Sequence, residues 1–120
     1  MQSVLPKISD TDLADMFKKP VPPQDEEIAA LKRLVAIAKR GTHQSGHVAD
    51  FLLSWWNTDE CGGFDMRNLW GVDRRIAEDM VTVFGLVARI HVYPPQIDRV
   101  FDADFDQIVR LWRPKLFADA

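Results

Sequence analysis

Apolar residues recur at helical spacing along the chain, and nowhere does strict alternation persist for a strand's length. Between Asp25 and Arg40, Leu31, Leu34, Val35 and Ala38 share one face. Acids (Asp25, Glu26, Glu27) lead that stretch, Lys39 and Arg40 close it in keeping with the helix dipole, and Gly41 supplies a stop. A second helix is predicted from an N-cap at Ser45 to about Trp56, where Val48, Phe51, Leu52, Trp55 and Trp56 follow an i, i+3, i+4, i+7, i+8 pattern. Leu53 widens its apolar arc, so this helix should pack against more than one neighbour. Asn57 to Phe64 reads as a loop with paired glycines, Gly62 and Gly63. Asp65 then caps one short turn through Trp70, ended by Gly71.

Asp73 is the expected cap of the longest helix, which runs to about Val92 before Pro94 and Pro95. Ile76, Met80, Val83, Phe84, Val87 and Ile90 form its main stripe. Val81 and Leu86 extend that stripe so far that only a narrow polar strip remains, which predicts the central helix of the fold. The last helix starts at Asp102 or Asp104 and presents Phe105, Ile108, Val109 and Trp112 before Pro114 breaks it. The expected fold is all-α, a compact bundle of four main helices with one or two short ones. Residues 1–24 read as a peripheral N-terminal segment, and residues 25–120 as the helical domain. In the segment, Ser9 or Asp10 could cap a short helix carrying Leu13, Met16 and Phe17, and Pro20, Pro22 and Pro23 make a stiff linker.

Composition narrows the function classes. A chain of 120 residues fits one domain, and four tryptophans with seven phenylalanines supply much buried area per residue. The formal net charge of −3 carries no overall footprint of a nucleic-acid binder. Cys61 is the only cysteine, so no intramolecular disulfide forms and a reducing compartment is the natural reading. Met1 to Pro6 lacks both the charged start and the apolar run of a signal peptide, and no apolar stretch reaches bilayer-spanning length. The expectation is a cytoplasmic protein without membrane contact.

The candidate chemistry is sparse. His43 and His47 stand four apart, a metal-chelating spacing on a helix, but a cap at Ser45 would leave His43 in the preceding loop. Only His91 and Cys61 remain to complete a ligand set, so no metal and no cofactor are expected. Asn57 to Asn68 has oxygens and a glycine where a calcium loop begins, but Cys61 and Asn68 stand where two further ligands belong. Cys61 is flanked by Asp59 and Glu60, which disfavour a thiolate. There is no nucleophile elbow, phosphate-cradling loop or dinucleotide fingerprint. Asp79 and His91 sit against apolar flanks of their helix about three turns apart. A pairing of Asp79 with Arg75 or a distant base, and of His91 with terminal carbonyls, accounts for both.

Two features bear on phosphate binding. Lys32, Arg33, Lys39 and Arg40 gather on one helix face, which a solvated surface also explains. Asp65 to Ile76 can be read as helix, glycine turn and recognition helix, with Arg74 and Arg75 at the base-contacting positions. Its first helix is barely one turn, and its second is needed for the core.

The runs VADFLLSWWN (Val48 to Asn57), CGGFD (Cys61 to Asp65), LWGVD (Leu69 to Asp73), EDMVTVFGL (Glu78 to Leu86) and LWRP (Leu111 to Pro114) resemble a family of small proteins of proteobacterial plasmids and integrative elements, classed as a domain of unknown function. The resemblance covers roughly Ile28 to Leu116 and implies no catalytic residue. The family's setting implies an accessory role for a mobile element: maintenance, regulation or countering host defence. The family pattern is basic before the second helix, where this chain has His43 and His47.

The resulting expectation is a non-enzymatic, protein-binding accessory domain. Its contact residues would be Leu13, Met16 and Phe17 on the N-terminal turn, and Trp70 with Arg74 and Arg75. A structural account competes: Trp70 would close the core below the paired glycines, and the N-terminal residues would dock on the bundle. Packing of those residues on a second copy would instead mean self-association. The alternatives are a DNA-associated regulator using the helix-turn-helix-like segment and an enzyme with an unrecognised acidic site.

Overall fold

The computed structural model describes residues 21–117. In chain order these form α1 (Asp25–Ala38), α2 (His43–Cys61), a 3-10 turn (Met66–Gly71), α3 (Arg74–Ile90), the single turn α4 (Pro94–Ile97), α5 (Val100–Trp112) and a closing 3-10 turn (Pro114–Phe117). No strand occurs among the described residues, and the all-α bundle of four main helices is the observed fold. Leu13, Met16 and Phe17 lie outside the described residues.

The first helix follows its amphipathic pattern. Ala30, Leu31, Leu34, Val35 and Ala38 are buried, and a capping box starts it: the Gln24 N–H donates to Glu27 Oε1 at 2.9 Å. It ends at Ala38, short of the basic pair, because the Trp112 indole N–H takes the Ala38 carbonyl at 2.6 Å.

The second helix starts earlier than its sequence suggests. Thr42, not Ser45, is the N-cap: its Oγ1 accepts from the Ser45 N–H at 3.1 Å. Ser45 is fully buried, and its hydroxyl satisfies itself 2.6 Å from the Thr42 hydroxyl. The helix also continues through the expected loop to Cys61, with a kink at Asn57 (φ −162°, ψ 80°), whose Oδ1 then receives the Glu60 N–H. At 19 residues it is the longest helix, a place the sequence reading gave to α3. Gly62 ends it at φ 93°, ψ 169°, a region essentially reserved for glycine.

The core lies between α1, α2 and α5, with α3 closing one side against α1. Leu31, Leu34, Leu52, Leu53 and Ile108 fill it, with Phe101 and Phe105 edge to face at 6.4 Å. Trp112 lies across Gly46, where an added Cβ would stand 3.2 Å from the ring and would have to push it back by a few tenths of an ångström. The last helix begins at Val100, before the expected aspartates, because the short turn α4 delivers the chain directly into it.

The expectation that α3 is the central helix is overturned. Only Met80, Val83 and Leu86 of its 17 residues are buried, while Val81 and Phe84 are 64% and 54% exposed. Its Asp73 occupies the N-cap without a side-chain hydrogen bond, and instead the Asp73 N–H donates to Gln44 Oε1 at 2.7 Å. At the other end His91 takes a left-handed conformation (φ 45°), with its ring 3.1 Å from the Ala88 carbonyl.

Candidate functional site

The outward side of α3 is where the structure carries more apolar surface than the fold uses. Phe51 and Trp55 of α2, Phe64 of the loop, Met66 and Leu69 of the 3-10 turn, and Val81 and Phe84 of α3 line an open groove of about 310 Å³. Ser54 is the only polar residue in its lining, and its hydroxyl is turned to the Phe51 carbonyl at 2.7 Å. Phe51 and Phe64 meet edge to face at 5.3 Å and form the floor. The Trp55 indole N–H is anchored to the Val92 carbonyl at 3.0 Å, which ties one end of the groove to the C-terminus of α3.

Trp70 stands at the edge of this region and is 84% exposed. The competing account, in which it closes the core, does not hold. Asp65 caps the 3-10 turn through the Arg67 N–H at 2.9 Å, and the turn then buries none of its residues. A bidentate Arg67 guanidinium holds the Asp65 carboxyl down at about 2, a locally made clamp on an exposed turn. Leu69 faces inward and Trp70 outward. Arg74 and Arg75, also exposed, begin α3 just beyond, and neither is ion-paired among the described residues. Leu69, Arg74, Glu78 and Val81 line a shallow hollow that shares two residues with the groove.

The residues considered for chemistry are engaged elsewhere. Asp79 receives Arg33 Nε and Nη2, both at 2.9 Å, so its partner is the distant base rather than Arg75. Asp79, Glu26 and Glu78 do share a polar groove of about 560 Å³ between α1 and α3, together with Arg33, Arg40 and Arg75. Two carboxyls elsewhere are clearly displaced, Glu27 and Asp65, and both move down under arginine hydrogen bonds. Cys61 is buried, and burial pushes its thiol up, against a smaller opposing pull from Arg113.

The histidine geometry departs from expectation. With the cap at Thr42, His43 and His47 both lie in α2, their rings 4.7 Å apart and edge to face. No cap separates them. Among the described residues no third histidine, cysteine or carboxylate joins them in a ligand set. His47 is instead fitted against Gly71, where an added Cβ would stand 3.2 Å from its Nε2.

The basic face of α1 is largely compensated. Arg33 pairs with Asp79 and Lys39 with Asp104, leaving Lys32 and Arg40. The helix-turn-helix reading also lacks its first helix, since the 3-10 turn Met66–Gly71 stands in its place.

Residues 28–113 match the model of a family of unknown function, DUF7673. The chain belongs to that family. The DUF7673 match contains every residue of the groove and Trp70, and it leaves out the N-terminal segment. No curated protein and no solved structure matches the chain. Among the described residues no helix is long and apolar enough to cross a membrane.

Sequence reasoning singled out Trp70 as a candidate but missed the groove. The signal was present in the apolar arc of α3, which is too wide for one buried stripe. It was assigned to a central position, whereas an outer helix with a second, uncovered apolar face has the same pattern.

Proposed function

We propose that this DUF7673 chain is a non-enzymatic protein-binding domain whose contact edge is Trp70 with Leu69, Val81 and Arg74. The observation that carries this reading is the exposure of Trp70. An indole left 84% in water by a fold rich in aromatics is a large apolar surface awaiting a partner. Tryptophan and arginine side by side combine contact area with directional polar bonds, the pairing most often found at energetic centres of interfaces. We further propose the bacterial mobile-element setting and cytoplasmic location implied by the resemblance, with an accessory role there.

Support against the alternatives is geometric. A DNA-associated regulator would need uncompensated bases on one face, and Arg33, Lys39 and Arg67 each hold a carboxylate. An acidic catalytic site would call for a carboxyl raised toward neutrality, and the clearly displaced ones go the other way.

The test uses a partner isolated from the native host and then purified. Trp70→Ala should weaken its affinity about 30-fold, equivalent to about 2 kcal/mol, and Arg74→Ala somewhat less. Affinity unchanged in both variants, with the fold intact by circular dichroism, would refute the assignment.

A further inference from the structure

The outer face of α3 is built to fit a copy of itself. At about 100° per residue, Arg74, Val81 and Ala88 fall in one line along that face. Ala77 and Phe84 flank the line on one side, Glu78 and Gly85 on the other, and all but the half-buried Ala77 are exposed. Phe84 is a knob on this face. The hollow lined by Leu69, Arg74, Ala77, Glu78 and Val81 is a hole of the i, i+3, i+4, i+7 kind that helices offer to such knobs. Knob and hole lie on opposite sides of Val81, each about 5 Å from it along the helix axis.

A half-turn about an axis at Val81 therefore brings each knob over the other copy's hole. In that antiparallel pairing Val81 meets Val81 of the second copy, and Phe84 meets its Ala77. Glu78 lies over Gly85, and Arg74 over Ala88, so each long or bulky side chain opposes a small one. A parallel pairing would set Phe84 on Phe84 and Gly85 on Gly85. Gly85 fits a close approach by another helix: glycine inside a helix costs stability relative to alanine, yet an added Cβ meets nothing within 4 Å in its own chain. Arg74, without an ion-pair partner among the described residues, arrives at the C-terminal end of the other α3, where the helix dipole favours a cation. The stems of Arg74 and Glu78 cover apolar surface while their charged heads stay in water.

The surface suffices for a specific dimer. At exposures of 54% and 84%, the side chains of Phe84 and Trp70 leave about 300 Å² in water, hence about 600 Å² in two copies. The exposed Met66 and Val81, with the two charged stems, carry the total past the roughly 1,000 Å² such an interface needs.

We propose that α3 pairs antiparallel with α3 of a second copy about a two-fold axis at Val81, each Phe84 seated in the other's hollow. This rests on the reading of the Trp70 edge as a contact surface, and it names a partner for that surface.

The experiment uses the full chain. Helix axes about 8–10 Å apart leave facing Cα atoms at the axis about 4–5 Å apart, within disulfide reach. Under mild oxidation Val81→Cys should form a cross-linked dimer at least about tenfold faster than Arg75→Cys, an exposed position on another face of α3. Cys61, the one native cysteine, is buried and stays out of the reaction. Mixing Arg74→Cys with Ala88→Cys should give the mixed dimer in preference to either self-pair. Sedimentation of the unaltered chain should show the 13.7 kDa monomer giving way to a dimer by about 100 µM, and Val81→Glu should remain monomeric with its circular dichroism unchanged. An unaltered chain that stays monomeric, equal cross-linking at positions 81 and 75, or self-pairs dominating the mixture would overturn the proposal. A monomer whose host partner still loses affinity with Trp70→Ala would overturn the second copy alone. Cross-linking at position 81, with host-partner affinity untouched by Trp70→Ala, would uphold the dimer and remove only the host-partner role of Trp70.

Discussion

Truncating the four tryptophans should have sharply unequal effects, and the contrast between Trp70 and Trp112 is the strongest test of the packing described above. Trp70 is 84% exposed and makes no hydrogen bond among the described residues. Trp70→Ala should therefore behave as a surface substitution, within about 0.5 kcal/mol of the parent. Trp112 is half-buried across Gly46, and its indole N–H caps the Ala38 carbonyl at the end of α1. Full burial makes a Trp→Ala change cost about 3–5 kcal/mol, so half-burial leaves about 2 kcal/mol. The abandoned carbonyl adds about 1 kcal/mol.

For a domain of this size each kcal/mol moves the melting temperature by about 4–8 °C. Trp112→Ala should then lower Tm by about 12–24 °C, and Trp70→Ala by no more than about 4 °C. Thermal unfolding of the full chain followed by far-ultraviolet circular dichroism measures both. A fall beyond about 5 °C for Trp70→Ala would show that the indole is packed in the isolated chain, and the proposed contact edge would be lost with it. A near-neutral Trp112→Ala would refute the role given to the α1–α5 junction.

Gly62→Ala should cost about 1–3 kcal/mol in the same assay, because its φ of 93° with ψ of 169° excludes a Cβ even though nothing crowds the site. Arg89→Met should lower Tm in the same assay, since it removes the donor shared by Glu27 and the Val21 and Pro22 carbonyls; an unchanged Tm would refute that role. Glu27 is held below its ordinary value near 4.5 chiefly by the Arg89 hydrogen bond, so its stabilisation is complete above that pH and is lost as pH falls through the lowered value. Acid unfolding curves should show that loss in the parent and a shallower one in Arg89→Met; parallel curves would contradict the linkage. Binding to duplex DNA, with Arg74 and Arg75 as the principal uncompensated bases beside Trp70, should show a log–log salt slope no steeper than about −2. Sub-micromolar affinity at physiological salt with a slope near −5 would restore the regulator reading.

The helices were legible because their apolar spacing is regular, and the errors fall where one signal has two physical solutions. Thr42 and Ser45 are both good caps three residues apart, and burial chose between them: Ser45 points into the core, where its hydroxyl needs Thr42 as partner. The helix beyond Trp56 was hidden because Asn57, Asp59 and the coming glycines resemble a loop. A kink at Asn57, rather than an end, satisfies the same residues. The Asp79 and His91 partners were legible in kind, a distant base for a half-buried carboxylate and a terminal carbonyl for a residue at a helix end. Arg33 itself could not be named without the packing of α1 on α3.

The outer face of α3 was illegible for a deeper reason. Sequence periodicity reports how much of a helix is apolar, not how much of that surface the fold covers. Both α1 and α3 carry wide apolar arcs, yet α1 buries five residues among three neighbours, whereas α3 buries three and leaves Val81 and Phe84 in water. Covering α3 in the same way would need a further helix on its outer side. The described residues place no helix there, and the 3-10 turn that approaches it turns Trp70 outward instead of inward. At about 25 cal/mol per Å² of apolar surface, a face of this kind stores several kcal/mol that only an occupant can release. Trp70, 84% exposed beside Leu69, stands at the edge of that face where another protein can reach it.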